Sequence, residues 1–480
     1  MRSVASLVTA HTAWSAKAGA SVNPPHSIAF VMAMAVVVDG VAVVAATALV
    51  SGSWHLTNAP SQLGHTILLA IIASAVTLAV MSRRAATLDL IRNPYSSLSW
   101  VIGPVTWGMV ALAVSGTLLG TGSATMAVRA VLWAAATTTA VELGRVGQAR
   151  LIEGWINSGR LIRRTAVVGN AAEVERIARQ FHPEANRILR VTGGYDDRAT
   201  SGASLAALID AARRNEVDEV IIAIEPADHG RVLAAVAALR SLVIEVHLVT
   251  EINRLGLTPA FARFIANTHT VAVHCPPLST WAHLQKGIFD RMLAGVLLLA
   301  LSPVLAAAAI AVKANSHGPV FFRQPRIGYN NRPFLMYKFR SMFADMSDIH
   351  AAQQTAQNDP RVTSVGRIVR KYSIDELPQL INVLLGDMSL VGPRPHAMST
   401  RAEGLSLEEA EADYELRHRV RPGITGWAQV NGSRGELRTA EQVRIRVAHD
   451  LYYIKNWTLA LDLKIMVLTV LREVSSKRAY

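Results

Sequence analysis

The chain has 480 residues, of which 51% are hydrophobic and only 17% are charged, a composition that favours a membrane protein and excludes a disordered one. The formal net charge of +13 suits a protein that meets an anionic membrane surface, nucleic acid or phosphate-rich substrates. The single cysteine, Cys275, excludes internal disulfides and zinc sites that need several cysteines.

Four apolar stretches near the N-terminus predict transmembrane helices, since about 20 apolar residues cross the ~30 Å hydrocarbon core of a bilayer. The stretches are Ile28–Val50, Leu63–Met81, Trp100–Gly120 and Ala124–Leu143. They define a four-helix transmembrane domain over residues 28–150, preceded by a cytoplasmic segment over 1–27. A cleaved signal peptide is not expected, because the first stretch starts at residue 28 and is as long as a span.

Basic residues orient these helices, because Lys and Arg accumulate in cytoplasmic loops. Those that precede the first stretch, follow the second or follow the fourth are Arg2, Lys17, Arg83, Arg84, Arg92, Arg145, Arg150, Arg160, Arg163 and Arg164. All of them predict a cytoplasmic N-terminus and cytoplasmic residues after 150. Much of the basic excess is therefore explained by the membrane, and no nucleic acid partner is expected.

Asp39 is an ionisable residue in the middle of the first stretch. A carboxylate at this depth either lines a proton or substrate path or is paired inside the helix bundle. We favour the pairing.

Over residues 160–275 the hydrophobic pattern changes and predicts short apolar strands that alternate with helices. The predicted strands are Thr165–Val168, Ile188–Val191, Val217–Ile224 and Val243–Leu248, with helices near Glu173–Gln180, Leu205–Arg214 and Arg231–Leu239. Such alternation is typical of a Rossmann-like α/β domain with a parallel, doubly wound sheet.

The first turn of this domain lacks the dinucleotide-binding fingerprint. A dinucleotide site uses three glycines, whereas the first strand here is followed by Gly169, Asn170 and Ala171, with one glycine. The domain is either a nucleotide sensor or a structural or regulatory unit with an empty site. The broken fingerprint favours the second interpretation.

The segment Met292–Val312 contains 21 positions without a charge, long enough to cross a bilayer. Pro303, which follows Ser302, removes a backbone donor near the middle and breaks the helix. Basic residues flank both ends, namely Lys286, Arg291, Lys313 and Arg323. A crossing would place one basic group on the wrong side. We therefore predict a re-entrant helix over about 287–313, with a hinge whose freed backbone groups the Ser302 hydroxyl can bond.

A kinked helix that crosses the whole membrane remains a close alternative, because prolines are common in membrane helices.

Chemistry concentrates in the C-terminal part, where basic side chains recur beside short Gly and Pro turns that suit phosphate binding. Asp375 and Glu376 lie close in sequence to Arg370 and Lys371. Alone, an Asp-Glu pair is usually a helix N-terminal turn. Beside basic turns it offers a nucleophile or base and ligands for Mg²⁺, which binds through one or two carboxylates and substrate phosphates. The pattern predicts a phosphoryl-transfer site.

A series of motifs runs through residues 286–463 in order. They are KGIFD at 286–290, the Ser302-Pro303 break, GPVFFRQ at 318–324, YKFRSM at 337–342, DELPQ at 375–379, NVLLGDMSLVGPRP at 382–395, RPGITGWAQVNG at 421–432, DLYYIKNW at 450–457 and Asp462. Together they resemble the bacterial polyprenyl-phosphate hexose-1-phosphate transferases. One departure is Gly287, where many members carry a second basic residue, so contact with the lipid phosphate is expected to be weaker.

The resemblance implies a role for each matching residue. Asp375 would be the nucleophile and Glu376 its partner, with one or both near Mg²⁺. The substrate-binding candidates are Arg394 with Pro393 and Pro395 for the uridine diphosphate, and Lys338, Arg340, Arg361 and Arg370 for phosphate. Ser302 and Pro303 would form the hinge of the re-entrant helix in a mostly helical catalytic domain over 280–480.

The implied reaction moves a hexose-1-phosphate from UDP-glucose or UDP-galactose to undecaprenyl phosphate through a covalent aspartyl intermediate. It would release UMP and initiate exopolysaccharide or capsule synthesis at the cytoplasmic face of the bacterial inner membrane. The hexose and the oligomeric state are left open, a homo-oligomer included.

Two other classes of protein compete with this interpretation. An NAD-dependent sugar-nucleotide epimerase or dehydratase would need the missing glycines and a Tyr-x-x-x-Lys pair, and none of the nine tyrosines has Lys four positions on. A non-catalytic scaffold for polysaccharide export would not need the acidic pair or its basic turns.

Overall fold

The structure of the protein is a computed structural model. It describes residues 28–55, 103–110, 123–158, 161–180, 189–199, 202, 204–225, 227–249, 262–265, 268–346, 359–397, 400–433, 435 and 437–475. The chain divides into two compact units, Met1–Ile162 and Arg163–Tyr480. The predicted span Leu63–Met81 lies outside the described residues, and only 103–110 of the third predicted span is described, as helix.

The first unit contains two long helices, α1 (Ile28–His55) and α2 (Ser123–Asn157), at the positions of the first and fourth predicted spans. Asp39 of α1 accepts hydrogen bonds from Arg145 of α2 at 3.0 and 3.3 Å. Both side chains are buried, so the predicted pairing of Asp39 is confirmed. Arg145, which the charge pattern assigned to a cytoplasmic loop, lies inside α2 and neutralises this carboxylate instead.

The second unit begins with the predicted α/β domain. Its elements are β1 (Arg163–Val168), α3 (Ala171–Gln180), β2 (Leu189–Tyr195), α4 (Leu205–Arg213), β3 (Glu219–Ile222), α5 (His229–Leu239), β4 (Glu245–Val249), β5 (Ala262–Ile265) and β6 (Thr268–His274). The strand order is β2-β1-β3-β4-β6-β5. The first four strands are parallel, as predicted, and β1, β3 and β4 bury apolar side chains against α4 and α5.

The prediction of an all-parallel sheet was wrong at one edge. β6 pairs antiparallel with β4, and β5 pairs antiparallel with β6. The sequence search missed both strands, because β5 has only four residues and β6 joins a polar run, Thr268–Thr270, to a short apolar run, Val271–Val273. The sheet is therefore mixed.

The C-terminal part combines helices with short β pairings. Its elements are α6 (Thr280–Ala300), α7 (Ser302–Asn315), β7 (Phe321–Ile327), β8 (Pro333–Phe339), α8 (Ser364–Lys371), α9 (Gln379–Leu385), β9 (Ser389–Val391), β10 (Arg401–Ala402), β11 (Leu405–Ser406), α10 (Leu407–Ala410), β12 (Gly423–Thr425), α11 (Trp427–Val430), α12 (Ala440–Lys455) and α13 (Leu459–Ser475). β7 and β8 form an antiparallel hairpin, and β9 pairs in parallel with β12.

The tip of the β7–β8 hairpin binds the α/β domain. Asn330, whose φ of 56° is left-handed, donates to the Ala212 carbonyl at 3.2 Å and accepts from the Val243 amide at 3.3 Å. These bonds satisfy backbone groups at the end of α4 and before β4. The hairpin is therefore anchored at its tip, while its strands extend toward the acidic pair.

The predicted break at Ser302-Pro303 separates α6 from α7. Pro303 cannot donate to the Leu299 carbonyl one turn earlier, and the Ser302 hydroxyl donates to that carbonyl instead, at 2.8 Å. Within the described residues, no single helix is long and apolar enough to cross a membrane. The helix pair Trp281–Ala300 and Ser302–Asn315 is long and apolar enough when its two helices are taken together, and it bends by 64° at the break between them.

Both arms of this bent pair pack against the same C-terminal domain. The inner face of α6, including Ala294 and Leu297, joins a core with Leu380 of α9. The inner face of α7, including Ala308, packs on Phe339 of β8. The outer face of α6 leaves a stripe of apolar side chains 51% to 78% exposed, namely Ile288, Met292, Val296 and Leu299.

Candidate active site

The acidic pair sits in a sharp turn between two helices. Thr363 caps α8, because its hydroxyl accepts from the Gly366 amide at 2.9 Å. After α8 ends, Ser373 takes a left-handed φ of 54° and reverses the chain into the 3-10 turn Ile374–Glu376. This turn buries Asp375, whose residue surface is 9% exposed, and directs Glu376 toward the β7–β8 hairpin.

Glu376 binds two cations from different elements. Its Oε1 accepts from Lys338 Nζ of β8 at 2.8 Å and from Arg394 Nη2 at 2.7 Å, and its Oε2 accepts from Arg394 Nη1 at 3.3 Å. Although burial raises the pKa of Glu376, Arg394 and Lys338 together hold it well below its usual range. The three residues therefore form a charged cluster that brings two sequence-predicted phosphate ligands together.

Asp375 differs from its neighbour, because it forms no ion pair or side-chain hydrogen bond with a described residue. Burial raises the pKa of Asp375, the Lys338 charge opposes this effect, and Glu376 adds to it. Arg370 of α8 is also close enough to favour the charged form. The carboxylate is consequently the free acidic group of the cluster, held beside cations without being neutralised by a direct bond.

The Pro393-Arg394-Pro395 turn is fixed through its backbone. The Pro393 carbonyl accepts from the Gly423 amide at 3.0 Å, and the Arg394 carbonyl accepts from Arg417 Nη2 at 2.7 Å. Gly392 permits this approach, since a Cβ there would lie 2.4 Å from the Arg421 carbonyl oxygen. The Arg394 side chain is therefore presented from a rigid turn.

A buried polar network lies behind this turn. Arg417, 1% exposed, binds Asp450 of α12 at 2.7 Å, and His396 lies within 2.9 Å of Arg417 Nη1 and 3.1 Å of Arg446 Nη1. Burial and the neighbouring Arg417 and Arg446 hold the pKa of His396 well below its usual range. A neutral imidazole has one acceptor nitrogen, so it can accept from Arg417 at Nδ1 or from Arg446 at Nε2 but not from both, and the Tyr414 hydroxyl lies 2.7 Å from Nδ1.

Two predicted phosphate ligands have other partners. Arg340 donates to the carbonyls of Val312 at 3.3 Å and of Ser316 and His317, each at 2.6 Å, and so caps the end of α7. Arg361 binds its neighbour Asp359 at 2.6 Å. Arg340 therefore binds the end of α7, a contact that its sequence motif did not indicate, and its predicted contact with phosphate stays a prediction.

Arg326 of β7 belongs to the site, although the sequence marked it only as one of many basic residues. Burial and the neighbouring Arg394 lower the pKa of Arg326 to about 10, while Glu376 opposes this effect. Its Nη2 donates to Gln324 at 2.6 Å, and its buried Nε bonds no described residue. Arg417, Arg446 and Asp450 were also missed as site residues, because only the fold brings their distant segments together.

Asp375 fits a Mg²⁺ ion better than Glu376 does. Mg²⁺ is often bound through one or two carboxylates plus substrate phosphates, and Asp375 has the open carboxylate that this requires. Glu376, which the sequence also assigned to the metal, is already paired with Lys338 and Arg394. In this arrangement it acts as the anchor of two cations, and a metal would have to displace them.

One cluster of three possible metal ligands lies elsewhere, on β3 and β4. Glu219, Glu245 and His247 bring their ligand atoms within 4.8 Å of one another. Arg163 lies 3.5 Å from Glu219 and 3.1 Å from Glu245, so a cation already neutralises both carboxylates. We assign no metal to this cluster.

The first turn of the α/β domain is closed to a pyrophosphate. At the start of α3, the Asn170 amide donates to Glu173 Oε2 at 2.6 Å, and Arg231 binds Glu173 at 3.3 Å and Asp197 at 2.6 Å. A carboxylate therefore occupies the helix N-terminus where a dinucleotide phosphate would bind.

Two protein families match separate parts of the chain. Residues 281–476 match the family described as bacterial sugar transferase, and residues 89–250 match one described as CoA-binding domain. A coenzyme pyrophosphate does not fit the turn after β1, because Glu173 occupies it. We therefore derive no step of chemistry from a coenzyme.

Whole-length relatives extend the match beyond the C-terminal domain. The chain is 38% identical to undecaprenyl-phosphate glucose phosphotransferase of Komagataeibacter xylinus, over 89% of this chain and 81% of the relative. It is 40% identical to UDP-glucose:undecaprenyl-phosphate glucose-1-phosphate transferase of Escherichia coli strain K12, over 69% of this chain and 72% of the relative. An N-acetylgalactosamine phosphotransferase of Aeromonas hydrophila is 44% identical to this chain, in an alignment that covers 40% of this chain and 44% of the relative. The chain therefore belongs to the family of bacterial polyprenyl-phosphate hexose-1-phosphate transferases and is a sugar-phosphate transferase.

Proposed function

We propose that the protein transfers glucose 1-phosphate from UDP-glucose to undecaprenyl phosphate and releases UMP. The observation that carries the proposal is the free, buried Asp375 beside Glu376 and its two cations, Lys338 and Arg394. This arrangement offers one nucleophile and fixed positive charge for a diphosphate. Two relatives that match most of this chain carry names that specify glucose and undecaprenyl phosphate.

The donor diphosphate binds where positive charge is concentrated. Arg394, Lys338 and Arg326 supply donors that suit phosphate oxygens, and Arg394 can bind two of them at once. Glu376 holds Arg394 and Lys338 in place, so little reorganisation is needed when charge develops on the reacting phosphate. Arg370, beside Asp375, adds a further positive charge.

Asp375 attacks the β-phosphorus of the donor. A bond forms between Asp375 Oδ and the β-phosphorus, the bond from that phosphorus to the bridging oxygen breaks, and UMP leaves with the electron pair. A phosphate oxygen of undecaprenyl phosphate then attacks the same phosphorus and releases Asp375. The product is undecaprenyl diphosphate glucose, and no proton need be abstracted from either nucleophile.

Mg²⁺ is the cofactor we propose. When bound, it would neutralise the diphosphate and let an anionic nucleophile approach. Asp375 would hold it together with substrate oxygens.

A membrane site suits a reaction between a water-soluble donor and a lipid acceptor. We propose that α6 and α7 form the predicted re-entrant helix, which enters and leaves at the cytoplasmic face of the inner membrane. Three observations support this: the break at Ser302-Pro303, the packing of both arms on one domain, and the exposed apolar stripe on α6. The four N-terminal spans and a role in initiating exopolysaccharide or capsule synthesis belong to the same proposal.

UDP-galactose remains the second donor candidate from the sequence, and the Aeromonas relative, named for an N-acetylgalactosamine donor, indicates that similarity in the C-terminal domain does not fix the sugar. The test is UMP release by the purified full-length protein with a panel of UDP-sugars, with and without undecaprenyl phosphate. We expect UDP-glucose to give the highest turnover, and only with Mg²⁺. An absence of UMP release from every donor would overturn the proposal.

Glu376→Gln and Arg444→Gln provide a matched pair of variants for this assay. The first removes the charge that holds Lys338 and Arg394, and we expect a loss of roughly tenfold to a hundredfold in kcat/KM for the donor. The second removes an exposed charge on α12, paired only with Glu441 at 3.5 Å among described residues, and should leave turnover unchanged.

A further inference from the structure

A second cationic site lies where α6 meets the predicted membrane surface. Arg291 is the last charged residue before the apolar segment Met292–Val312, and its side chain is exposed. Its Nη1 donates to the Gly287 carbonyl at 3.1 Å. The guanidinium lies against two glycines, because a Cβ at Gly287 would be 3.2 Å from Nη1 and one at Gly386 would be 2.7 Å from Nη2.

Arg421 brings a second guanidinium to the same place. Its Nη1 and that of Arg291 both lie within 4 Å of the position that a Gly287 Cβ would take. Arg421 forms no hydrogen bond or ion pair with any residue that the structure describes, and it contacts the Tyr329 ring at 6.0 Å. Burial and the nearby Arg291 lower the pKa of Arg421.

The nearest carboxylates, Asp290 and Asp387, favour the charged form of Arg421 without forming an ion pair with it. Asp290 accepts from Ser389 at 2.7 Å and lies 3.5 Å from Lys286, while Asp387 lies 3.5 Å from the Asn382 amide nitrogen. Neither forms an ion pair with Arg291 or Arg421 in the described part of the chain. Two adjacent guanidinium groups repel each other, and an anion bound between them would relieve that repulsion through charge-assisted hydrogen bonds.

The position of the pair selects the kind of anion. Ile288 and Met292, on the exposed apolar stripe of α6, flank Arg291 in sequence. An arginine at the boundary between such a stripe and the aqueous side lies at the depth of lipid headgroups, where basic side chains bind phosphate. A soluble anion would not require this apolar surround.

We propose that Arg291 and Arg421 bind the phosphate group of a membrane lipid, at a site separate from the Asp375 cluster. The proposal rests on the proposed function, in which α6 enters the membrane. In this proposal the Arg291 guanidinium, which lies beside Gly287, supplies the positive charge that many family members carry at that position. The ligand is either undecaprenyl phosphate, bound here before its phosphate group moves to Asp375 for the transfer, or the headgroup of an anionic phospholipid.

The test uses the full-length protein in nanodiscs, with Arg291→Gln, Arg421→Gln and Arg291→Lys compared with the exposed-charge control Arg444→Gln. One arm measures KM for undecaprenyl phosphate in neutral phosphatidylcholine at saturating UDP-glucose. The other measures retention of phosphatidylglycerol by native mass spectrometry after purification. The second arm needs no turnover, so it can be read even if the proposed reaction fails, and thermal unfolding checks that each variant folds.

The two arms identify the source of the phosphate. If undecaprenyl phosphate binds here, each Gln variant raises its KM by roughly tenfold, while Lys at position 291 retains most of the affinity. If phospholipid binds, retention falls by a similar factor and KM is unchanged. Equal retention and equal KM in wild type and both Gln variants would overturn the proposal, as would a change confined to KM for UDP-glucose.

Discussion

Arg417 connects the substrate turn to α12: its Nη2 donates to the Arg394 carbonyl at 2.7 Å and to Asp450 at 2.7 Å. One buried guanidinium thus sets the backbone that presents Arg394. Because a buried cation without its carboxylate is costly, the pair couples the stability of the domain to the geometry of the site.

We predict that Asp450→Asn lowers the free energy of unfolding by about 3 kcal/mol, since it leaves Arg417 buried without its counter-charge. The variant should also raise KM for UDP-glucose, because Arg394 loses its fixed position. Thermal unfolding and donor titration measure the two effects. Arg444→Gln on the same helix is the control. If the Asp450→Asn variant is destabilised but keeps the wild-type KM for UDP-glucose, the ion pair does not support donor binding and this part of the prediction is wrong.

Burial of neutral histidines predicts a loss of stability in acid. Burial and the nearby arginines hold the pKa values of His396 and His418 well below 6.5 in the folded protein. Below pH 6.5 the unfolded chain binds protons at these positions and the folded chain does not, so stability is lost as the pH falls. Each histidine contributes up to about 1.4 kcal/mol per pH unit in this window.

The measurement is the midpoint of thermal unfolding at pH 7.5 and 5.5. His396→Gln should show a smaller decrease between the two values than the wild type. The control His317→Gln changes an exposed residue and should keep the wild-type decrease. Equal decreases in all three proteins would contradict the prediction.

Sequence periodicity predicted those parts of the fold whose structure depends on the local sequence alone. The buried parallel strands β1 to β4 and the break at Ser302-Pro303 follow from local apolar runs and from a missing amide. β5 and β6 carry weaker local signals. β6 pairs with β4 and β5 pairs with β6, so these antiparallel pairings are decided by tertiary structure.

The candidate site likewise contains residues that sequence motifs identified and residues whose partners only the structure reveals. The motifs singled out Asp375, Glu376, Lys338 and Arg394, and the structure brings these four residues together. Arg340 carries the same charge but caps a helix end, because a buried row of carbonyls competes for its guanidinium. Charge and motif alone cannot separate these outcomes, since the partner of a basic residue is set by packing rather than by its neighbours in sequence.

We predict that the α/β domain does not bind NAD at micromolar affinity. The fingerprint lacks two glycines, and Glu173 places a carboxylate at the N-terminus of α3 that would repel a pyrophosphate. Calorimetric titration of the full-length protein with NAD should give no heat of binding. Glu173→Gln is the informative variant, because it removes the repelling charge at the same size. Micromolar binding by the wild type would show that the domain is a nucleotide sensor.

The proposed re-entrant helix leads to a prediction about topology. In a Cys275→Ser background, cysteines at His317, after α7, and at Tyr480 should both resist an impermeant thiol reagent in intact cells and react after lysis. The exposed position of His317 makes it a suitable label site. A helix that crosses the membrane would place these positions outside. Labelling of either cysteine in intact cells would therefore favour the kinked span over the re-entrant helix.

The last prediction concerns the covalent step at Asp375. The carboxylate forms no ion pair and no hydrogen bond with another described side chain, lies beside Lys338 and Arg370, and is therefore available to the donor phosphorus. The rival is direct attack by undecaprenyl phosphate in a ternary complex, with the carboxylates holding only metal. Covalent chemistry alone releases about one UMP per enzyme without lipid acceptor and leaves sugar phosphate on the protein.

Acceptor-free enzyme should therefore give a burst of UMP and a mass increase equal to one hexose phosphate. Asp375→Asn should abolish both and reduce turnover by about a thousandfold or more, while UDP-glucose still binds through Arg394 and Lys338. Glu376→Gln is the matched control, because it removes the neighbouring charge but keeps the nucleophile, and a slower burst should persist. If turnover with lipid is fast and wild-type enzyme gives neither burst nor adduct, the ternary complex is the mechanism.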